Sequence, residues 1–286
     1  MRAAFILALA VLSSFTPAQA AFRVGWPKEL NFGVVPVESA REAEARYRPL
    51  AAHLQKVLGI PVKLAVGADY AAVVVAMQFR KLDMAYLSPS AYLEAARRAR
   101  AEAFACEIIP GVGRGTHSVI VSRAQSGIRT LAHAKGQTFA FVDPQSTTGY
   151  LLPRIYFAHQ AVEPDQYFKQ VVFSGSHEAS IEGVVQGRYA VAATSDQEVE
   201  VAIADHEIRG WSDLNVLWKS PILPTSPLAY RRDLPDSLKT AIREAVLSFK
   251  DEGALAAMRL KGFALVEDKD YNVVRDLEEL HRAGKR

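Results

Sequence analysis

A cluster of hydroxyl residues follows an apolar segment near the middle of the chain. Residues 138–142 predict a strand and residues 150–159 predict a helix, with Ser146, Thr147 and Thr148 between them. Hydroxyl side chains at such a junction cap the unpaired N–H groups of the first helical turn. The same N–H groups, with the helix dipole behind them, also bind anions. This junction therefore predicts either a helix cap or an oxyanion site.

Three other predicted strand ends carry polar residues before a helix, at residues 69–70, 88–90 and 174–177. Ligands of α/β sheets lie at the carboxyl ends of the strands. We therefore expect helix N-termini from both halves of the chain to face one cleft. An imidazole such as His177 suits a small tetrahedral oxyanion, although a capping or packed histidine fits the same position.

Strands and helices alternate along most of the chain, which predicts an α/β fold of mostly parallel sheets flanked by helices. Extended crossings near residues 116–121 and 217–226 predict a hinge between two lobes. Residues 21–118 and 219–286 then form lobe 1, and residues 119–218 form lobe 2. Two helices, 235–250 and 253–260, are predicted near the end of the chain.

The composition is that of an exported globular protein. Half of the 286 residues are hydrophobic and 23% are charged. Residues 1–20 read as a secretory signal peptide that ends Ala18-Gln19-Ala20, so we expect cleavage after Ala20 and a periplasmic location. Removing Arg2 with this peptide lowers the net charge from +3 to +2. Such a charge gives no reason to expect nucleic acid as a partner.

These motifs resemble the phosphonate-binding periplasmic protein family, the solute-binding components of phosphate, phosphite and phosphonate ABC importers. The family pattern D-P-x-S-T-S-G is matched by residues 143–149, and its D-Y before a helix by residues 69–70. Its G-H-E corresponds to residues 176–178, and its W-K-S-P-x-x-P to residues 218–224. The resemblance covers nearly all of the chain after the signal peptide, in order.

The resemblance implies a type II, Venus-flytrap fold and a monomer that delivers its ligand to an ABC permease without a cofactor. It implies that the oxyanion is contacted by Tyr70, Ser146, Thr147 and His177, with Thr148 nearby. Two departures from the family pattern concern the ligand. Thr116 replaces a pocket tyrosine. The two acidic residues that hold the ligand amine in aminophosphonate binders of the family correspond to Gln197 and Ser226, unless a shift of the alignment by one residue brings Asp196 into the pocket. The departures favour a small ligand without an amine.

Cys106 is the one cysteine of the chain, which excludes an intramolecular disulfide. It is either a small buried residue or a soft ligand in the cleft. We expect its sulfur at or beside the cleft wall, since strand ends before a hinge turn point there. One branch of the family resembles an arsenite-binding sensor with a single functional cysteine. A transition-metal site of Cys106 with His117 or His177 has no supporting ligand spacing.

The sequence therefore predicts a periplasmic binding protein for a small phosphorus oxyanion, either phosphate, phosphite or a simple phosphonate. The alternative is an arsenite sensor that binds through Cys106 and signals to a membrane histidine kinase. A third hypothesis is an exported hydrolase that uses Ser146, His177 and Asp143, although no G-x-S-x-G motif is present. A distance above about 4 Å between the serine and the histidine would count against this hydrolase.

Overall fold

The computed structural model describes residues 23–283, which form two β-sheets with helices packed on their faces. The predicted signal peptide, residues 1–20, lies outside these described residues. Among the described helices, none is both long and apolar enough to cross a bilayer. The sheets and their helices confirm the predicted two-lobed α/β fold, whereas the predicted lobe boundaries stay a prediction.

The strands and helices follow the predicted alternation closely over residues 30–195. The strands are β1 (Leu30–Val34), β2 (Val62–Val66), β3 (Met84–Tyr86), β4 (Ala101–Ile108), β5 (Gly115–Thr116), β6 (Ser118–Arg123), β7 (Thr138–Phe141), β8 (Gln170–Phe173), β9 (Val191–Ser195), β10 (Leu214–Lys219), β11 (Leu223–Pro224), β12 (Pro227–Arg231) and β13 (Gly262–Leu265). The helices are α1 (Ala40–Leu58), α2 (Tyr70–Gln78), α3 (Pro89–Ala99), α4 (Leu152–His159), α5 (Pro164–Tyr167), α6 (His177–Val185), α7 (Asp196–Ala204), α8 (Asp236–Leu247), α9 (Glu252–Ala257) and α10 (Asn272–Ala283).

Most strands of each sheet run in one direction, and both sheets also contain antiparallel pairs. The first sheet has the order β13-β4-β12-β3-β1-β2, and the second has the order β10-β6-β9-β7-β8. Strand β1 pairs in parallel with β2 and β3, and β7 pairs in parallel with β8 and β9. The remaining strands pair antiparallel. A helical crossover produces a parallel pair, whereas strands that pass between the sheets or return directly pair antiparallel.

A short two-stranded ribbon joins the sheets where the hinge is predicted. Strand β5 pairs antiparallel with β11, Thr116 opposite Leu223. Beside it, the Ser118 N–H donates to Ser220 Oγ over 2.9 Å, and the Ser220 N–H donates back to the Ser118 carbonyl over the same distance. The two crossings therefore lie side by side, and the carboxyl ends of β1, β3, β7 and β9 meet across them.

Aromatic packing under β7 positions the hydroxyl-rich turn that follows it. Phe139 lies 4.8 Å from Phe168 and 5.2 Å from Phe157, measured between ring centroids. The turn after β7 closes on itself, because the Val142 N–H donates to the Gly149 carbonyl over 3.1 Å. A π-helical turn, Thr147–Leu151, then leads directly into α4. Rigid packing below the turn thus holds its hydroxyl groups in place.

Gly149 provides the first stability test. A Cβ at this position would lie 2.4 Å from Val142 Cγ2 and 2.9 Å from Ser146 Oγ. We therefore expect Gly149→Ala to lower the free energy of unfolding by about 1–3 kcal/mol through overpacking. Urea denaturation measures this change.

The matched control is Gly253→Ala in α9. A Cβ there would meet Asp251 Oδ1 at an ordinary 3.5 Å, and alanine favours helix by about 1 kcal/mol over glycine. We expect this variant to be neutral or slightly stabilised. Equal destabilisation of both variants would contradict the steric explanation at Gly149.

Candidate functional site

A small cavity of about 20 Å³ lies between the two sheets, at the carboxyl ends of their strands. This volume accommodates at least one water-sized group. Its walls contain the predicted Tyr70, Thr116, Ser146, Thr147, Thr148 and His177, together with Val37, Tyr86, Ser88, Pro89, Ser195, Gln197, Glu198 and Ser226. The structure thus brings six of the seven predicted residues around one cavity, although their role in binding stays a prediction.

Five helix N-termini point toward this cavity, and each carries a capping side chain. In the second lobe, Ser146 Oγ accepts from the Gly149 N–H over 2.9 Å, and Ser195 Oγ accepts from the Glu198 N–H over 3.2 Å. The same pattern holds at α2, α3 and α6, capped by Asp69, Ser88 and Ser176. Because helix N-termini carry partial positive charge, their convergence favours an anion.

His177 stands at the start of α6, buried among hydroxyl groups. Its Nε2 lies 3.3 Å from Ser146 Oγ, and its Nδ1 lies 3.0 Å from Thr194 Oγ1. Burial lowers the pKa of the imidazole to about 3, so the ring is neutral near pH 7. A neutral imidazole presents one donor and one acceptor, and it contributes hydrogen bonds without a positive charge.

Two buried donors on the cavity wall have no hydrogen-bond partner among the described residues. They are the Tyr70 hydroxyl and Gln197 Nε2. Ser146 is close enough to influence the pKa of Tyr70, but the two side chains do not reach hydrogen-bond geometry. Unpaired buried polar groups are rare in native proteins, so these two donors point to a ligand with acceptor atoms.

The start of α7 contributes two residues to the lining of the cavity, and Asp196 is not one of them. Gln197 and Glu198 both line it, whereas the Asp196 carboxylate accepts from Thr116 Oγ1 over 3.1 Å and pairs with Lys219 at 3.3 Å. Asp196 therefore ties α7 to both hinge crossings. The sequence reasoning missed Glu198 because no helix was predicted after β9. Ser195, three positions before Glu198, has the S-x-x-E spacing of a capping box and could have predicted this helix.

The lobes are hydrogen-bonded to each other around the cavity, which describes a closed state. The Ser90 N–H of α3 donates to Thr147 Oγ1 over 2.8 Å, and that hydroxyl lies 3.0 Å from Ser90 Oγ. The His177 N–H donates to the Val37 carbonyl over 3.0 Å. Opening the lobes would release both contacts.

The expectation that Cys106 lies at the cleft wall is wrong. Cys106 is 1% exposed and belongs to the hydrophobic core of the first sheet, between β12 and β13. It borders a separate depression near the hinge, lined in part by Arg114 and Ile222. Burial raises the pKa of the thiol, which disfavours the thiolate that a soft ligand needs. Cys106 is also not among the residues that line the cavity.

The serine and histidine of the hydrolase hypothesis lie within hydrogen-bond distance, so the separation alone does not count against it. Asp143 does not complete a catalytic triad with Ser146 and His177, however, because His177 Nδ1 is hydrogen-bonded to the Thr194 hydroxyl. Asp143 instead accepts from the Gln145 N–H over 2.7 Å. A histidine with a pKa of about 3 is also a poor general base near pH 7. The arrangement favours binding over hydrolysis.

A larger depression of about 660 Å³ lies on the first lobe, beside α3 and α10. Its charged groups pair with one another, as in Arg97 with Glu278 at 3.1 Å and Arg232 with Glu102 at 2.8 Å. Paired surface charges leave little unsatisfied hydrogen-bonding capacity for a ligand. The interlobe cavity, with its unpaired buried donors, is therefore the better candidate.

A two-lobed α/β fold that closes over a polar cavity at the carboxyl ends of its strands defines a solute-binding protein. The family model of the ABC transporter, phosphonate, periplasmic substrate-binding protein matches residues 32–271 of the chain. The chain belongs to this family, and the resemblance predicted from its motifs is confirmed.

Two relatives and one solved structure show the extent of the similarity. The phosphonates-binding periplasmic protein of Escherichia coli is 30% identical over 260 residues, covering 87% of this chain and 75% of the relative. The phosphate-import protein PhnD of Mycolicibacterium smegmatis is 28% identical, covering 94% and 91%. A crystal structure of a binding protein component of an ABC phosphonate transporter from Pseudomonas aeruginosa has a TM-score of 0.84 and 29% identity, covering 90% and 87%. These names describe substrate-binding transport components rather than enzymes.

Carboxyl groups meet across the seam between the lobes. The Ser39 N–H, before α1, donates to Glu178 Oε2 over 2.5 Å, and Glu178 of α6 is hydrogen-bonded to Glu42. Burial, followed by the contact with Glu42, raises the pKa of Glu178 to about 8. The pair thus holds one proton between the lobes near neutral pH.

The raised pKa of Glu178 predicts a pH dependence of stability. Between its ordinary pKa of 4.5 and about 8, the folded protein retains a proton that the unfolded chain has lost. The stability of the folded state should therefore fall as pH rises through this window. Glu178→Gln, which mimics the protonated carboxyl, should flatten the fall.

Thermal denaturation midpoints across this pH window measure the effect. The control is Glu182→Gln on the same helix, since Glu182 pairs on the surface with Arg188. We expect the control to keep the pH dependence of the unmodified protein. An equally steep fall in Glu178→Gln would contradict the assignment of the proton to this pair.

Proposed function

We propose that the protein is the periplasmic substrate-binding component of an ABC importer for a small phosphorus oxyanion. The ligand class comprises phosphate, phosphite and simple phosphonates, and the partner is the importer's permease. One observation carries the proposal: unpaired buried donors of Tyr70 and Gln197 face a cavity on which five helix N-termini converge. Donors without partners, at the positive ends of helices, match the acceptor oxygens of such an anion.

The cavity composition narrows the ligand further. The cavity of about 20 Å³ holds about one water, so its lining must move apart to admit an oxyanion, and a long substituent would require a larger movement than a compact ligand. Gln197 and Ser226 occupy the positions at which aminophosphonate binders of the family carry acidic residues. Amide and hydroxyl groups compensate an ammonium poorly compared with two carboxylates. Both points favour a ligand without an amine.

Binding would proceed by closure of the lobes about the β5–β11 ribbon. A ligand that contacts Tyr70 in the first lobe and Ser146 in the second shifts the equilibrium toward the closed state by its differential affinity for it. Release to the permease then requires the interlobe contacts to open. Export by the predicted signal peptide, with cleavage after Ala20, would deliver the protein to the periplasm where such a permease is loaded. The core position of Cys106 removes the motivation for the arsenite sensor.

The proposal is tested by isothermal titration calorimetry of the protein, without its signal peptide, against phosphate, phosphite, methylphosphonate, sulfate and arsenite. We expect tight binding of at least one phosphorus oxyanion and none of arsenite. Binding of arsenite alone would overturn the proposal.

Tyr70→Phe tests the unpaired hydroxyl. Removing one hydrogen bond to a charged ligand costs roughly 1.5–3 kcal/mol, so we expect affinity for the bound phosphorus oxyanion to fall about ten- to a hundredfold. The control is Tyr189→Phe, whose ring packs near Gly183 away from the cavity. Titration calorimetry of both variants measures the difference. Unchanged affinity in Tyr70→Phe would remove Tyr70 from the site.

Cys106→Ser separates the core role of this residue from a binding role. The side chains of Thr225 and Arg114 interact with the thiol and can pair with a serine hydroxyl in its place, so we expect the free energy of unfolding to fall by about 1 kcal/mol or less. Affinity for the phosphorus oxyanion should stay within the error of the unmodified protein, because Cys106 does not line the cavity. Urea denaturation and calorimetry on the same preparation provide both readouts. A large loss of affinity at unchanged stability would contradict the core assignment.

A further inference from the structure

One carboxyl group stands in the wall of the cavity, and it belongs to Glu198 of α7. Among the described residues that line the cavity, no other is acidic, and none is lysine or arginine. Glu198 is 6% exposed, and its carboxyl forms no hydrogen bond with the described residues. An ionised carboxyl in this position would repel the anion that the surrounding donors attract.

The charged groups behind Glu198 do not neutralise it. Arg46 of α1 pairs with other acids, since its guanidinium lies 3.4 Å from Glu107 Oε2 and 3.7 Å from Glu38 Oε1, and among the described residues it forms no ion pair with Glu198. Within the same part of the chain its Nε and Nη1 have no hydrogen-bond partner, and its charge only partly offsets the rise in the pKa of Glu198 that burial causes. Arg259, which follows α9, pairs with Asp205 and lies 3.8 Å from Glu38. The titratable groups that face Glu198 from the packed elements are thus Arg46, Glu38, Glu107 and Arg259, with the neutral Tyr70, Tyr86 and His177 across the cavity.

A fully ionised oxyanion beside an ionised Glu198 would place uncompensated negative charge in a buried site, which is strongly unfavourable. One proton removes the conflict. It resides either on Glu198, which then donates to a ligand oxygen, or on a ligand hydroxyl, which then donates to the carboxylate. Both arrangements contain the same atoms and the same total charge, and both give a short, charge-assisted hydrogen bond.

On the basis of the proposed function, we propose that Glu198 is a specificity-determining residue that shares one proton with the bound oxyanion. The cavity then takes oxyanions that carry an exchangeable proton and rejects those that remain fully ionised. Phosphate groups lose their second proton near pH ~6, so phosphorus oxyanions meet this requirement under ordinary conditions. Sulfate has no exchangeable proton near neutral pH, and it is rejected although its shape is similar.

The environment of Glu198 agrees with this role. Burial raises the pKa of its carboxyl to about 7, within the range where phosphorus oxyanions also titrate. Either partner can therefore supply the proton near neutral pH. Above that range, both partners of the complex would be ionised when free, so binding must take up a proton from the solvent.

Calorimetry with methylphosphonate at about pH 8, in buffers of different ionisation enthalpy, counts the protons taken up on binding. Glu178 lies between the lobes and also titrates in this pH range, so the measurement is made in the Glu178→Gln background. We expect uptake approaching one proton per ligand with Glu198 present, and much less after Glu198→Gln. The neutral amide of that variant donates to an oxyanion without a proton, so its sulfate affinity should rise about tenfold or more.

The matched control is Glu252→Gln, an exposed glutamate at the start of α9, which should keep both the proton uptake and the rejection of sulfate. Tight methylphosphonate binding without proton uptake would overturn this inference and leave the proposed function intact. A preference for 2-aminoethylphosphonate over methylphosphonate that disappears in Glu198→Gln would also overturn it, because Glu198 would then hold an amine. Failure of every phosphorus oxyanion to bind the unmodified protein would overturn the proposed function together with the inference. The proton count of the unmodified site does not depend on how well Glu198→Gln folds.

Discussion

Unpaired N–H groups at helix N-termini are the feature on which the candidate site depends. Each helix leaves its first backbone donors without an intrahelical partner. At the cavity, Ser88, Ser146 and Ser195 each satisfy one donor of their own helix, and the remaining dipoles are directed to the same space. This convergence requires two sheets whose strands end at a common edge, and the two crossings between the sheets lie side by side there. The fold therefore places five helix ends around one cavity, and the proposed function assigns an anion to it.

The described lining of the cavity contains no lysine or arginine, so the proposed anion would be held by neutral donors. Neutral donors discriminate by geometry and by the number of acceptor oxygens, whereas a point charge attracts every anion. The buried Arg46 stands one layer behind the wall, where Glu38 and Glu107 compensate it. The ionisable group of the cavity wall is thus an acid, Glu198. Selectivity among oxyanions would then depend on whether the ligand and Glu198 can share a proton.

Closure of the lobes combines polar and apolar contacts. Ser88 Oγ donates to the Gln145 carbonyl over 2.6 Å across the gap. Beside it, Val142 and Leu151 of the second lobe join the hydrophobic core of the first. Such contacts stabilise the closed arrangement of the lobes without a ligand. The apparent affinity for a ligand would therefore depend on the free-energy difference between the closed and open arrangements of the free protein. The contact between Glu178 and Glu42 would make this free-energy difference depend on pH.

Local chemistry was readable from the sequence because its determinants lie close together along the chain. A capping serine bonds an N–H three residues on, and a strand followed by hydroxyl residues and a helix is one continuous segment at residues 138–159. These signals identified most strands and helices up to residue 195 and five of the residues that line the cavity. The extended crossings near residues 116–121 and 217–226 predicted the hinge, and the family resemblance added Thr116 to the predicted lining of the cavity.

Long-range packing decided the rest. The face on which Cys106 lies depends on strand register, and a shift of one residue reverses it. Strand direction in each sheet depended on which strands return across the hinge, and no local pattern encodes that. Helices α7 and α10 and strand β13 were missed. Two of these had local signals, since Ser195 caps α7 and Val273, Leu277 and Leu280 have the spacing of an amphipathic helix in α10. The position of Glu198 in the cavity wall depends on long-range packing, because α7 is oriented by hydrogen bonds from Asp196 to the distant hinge.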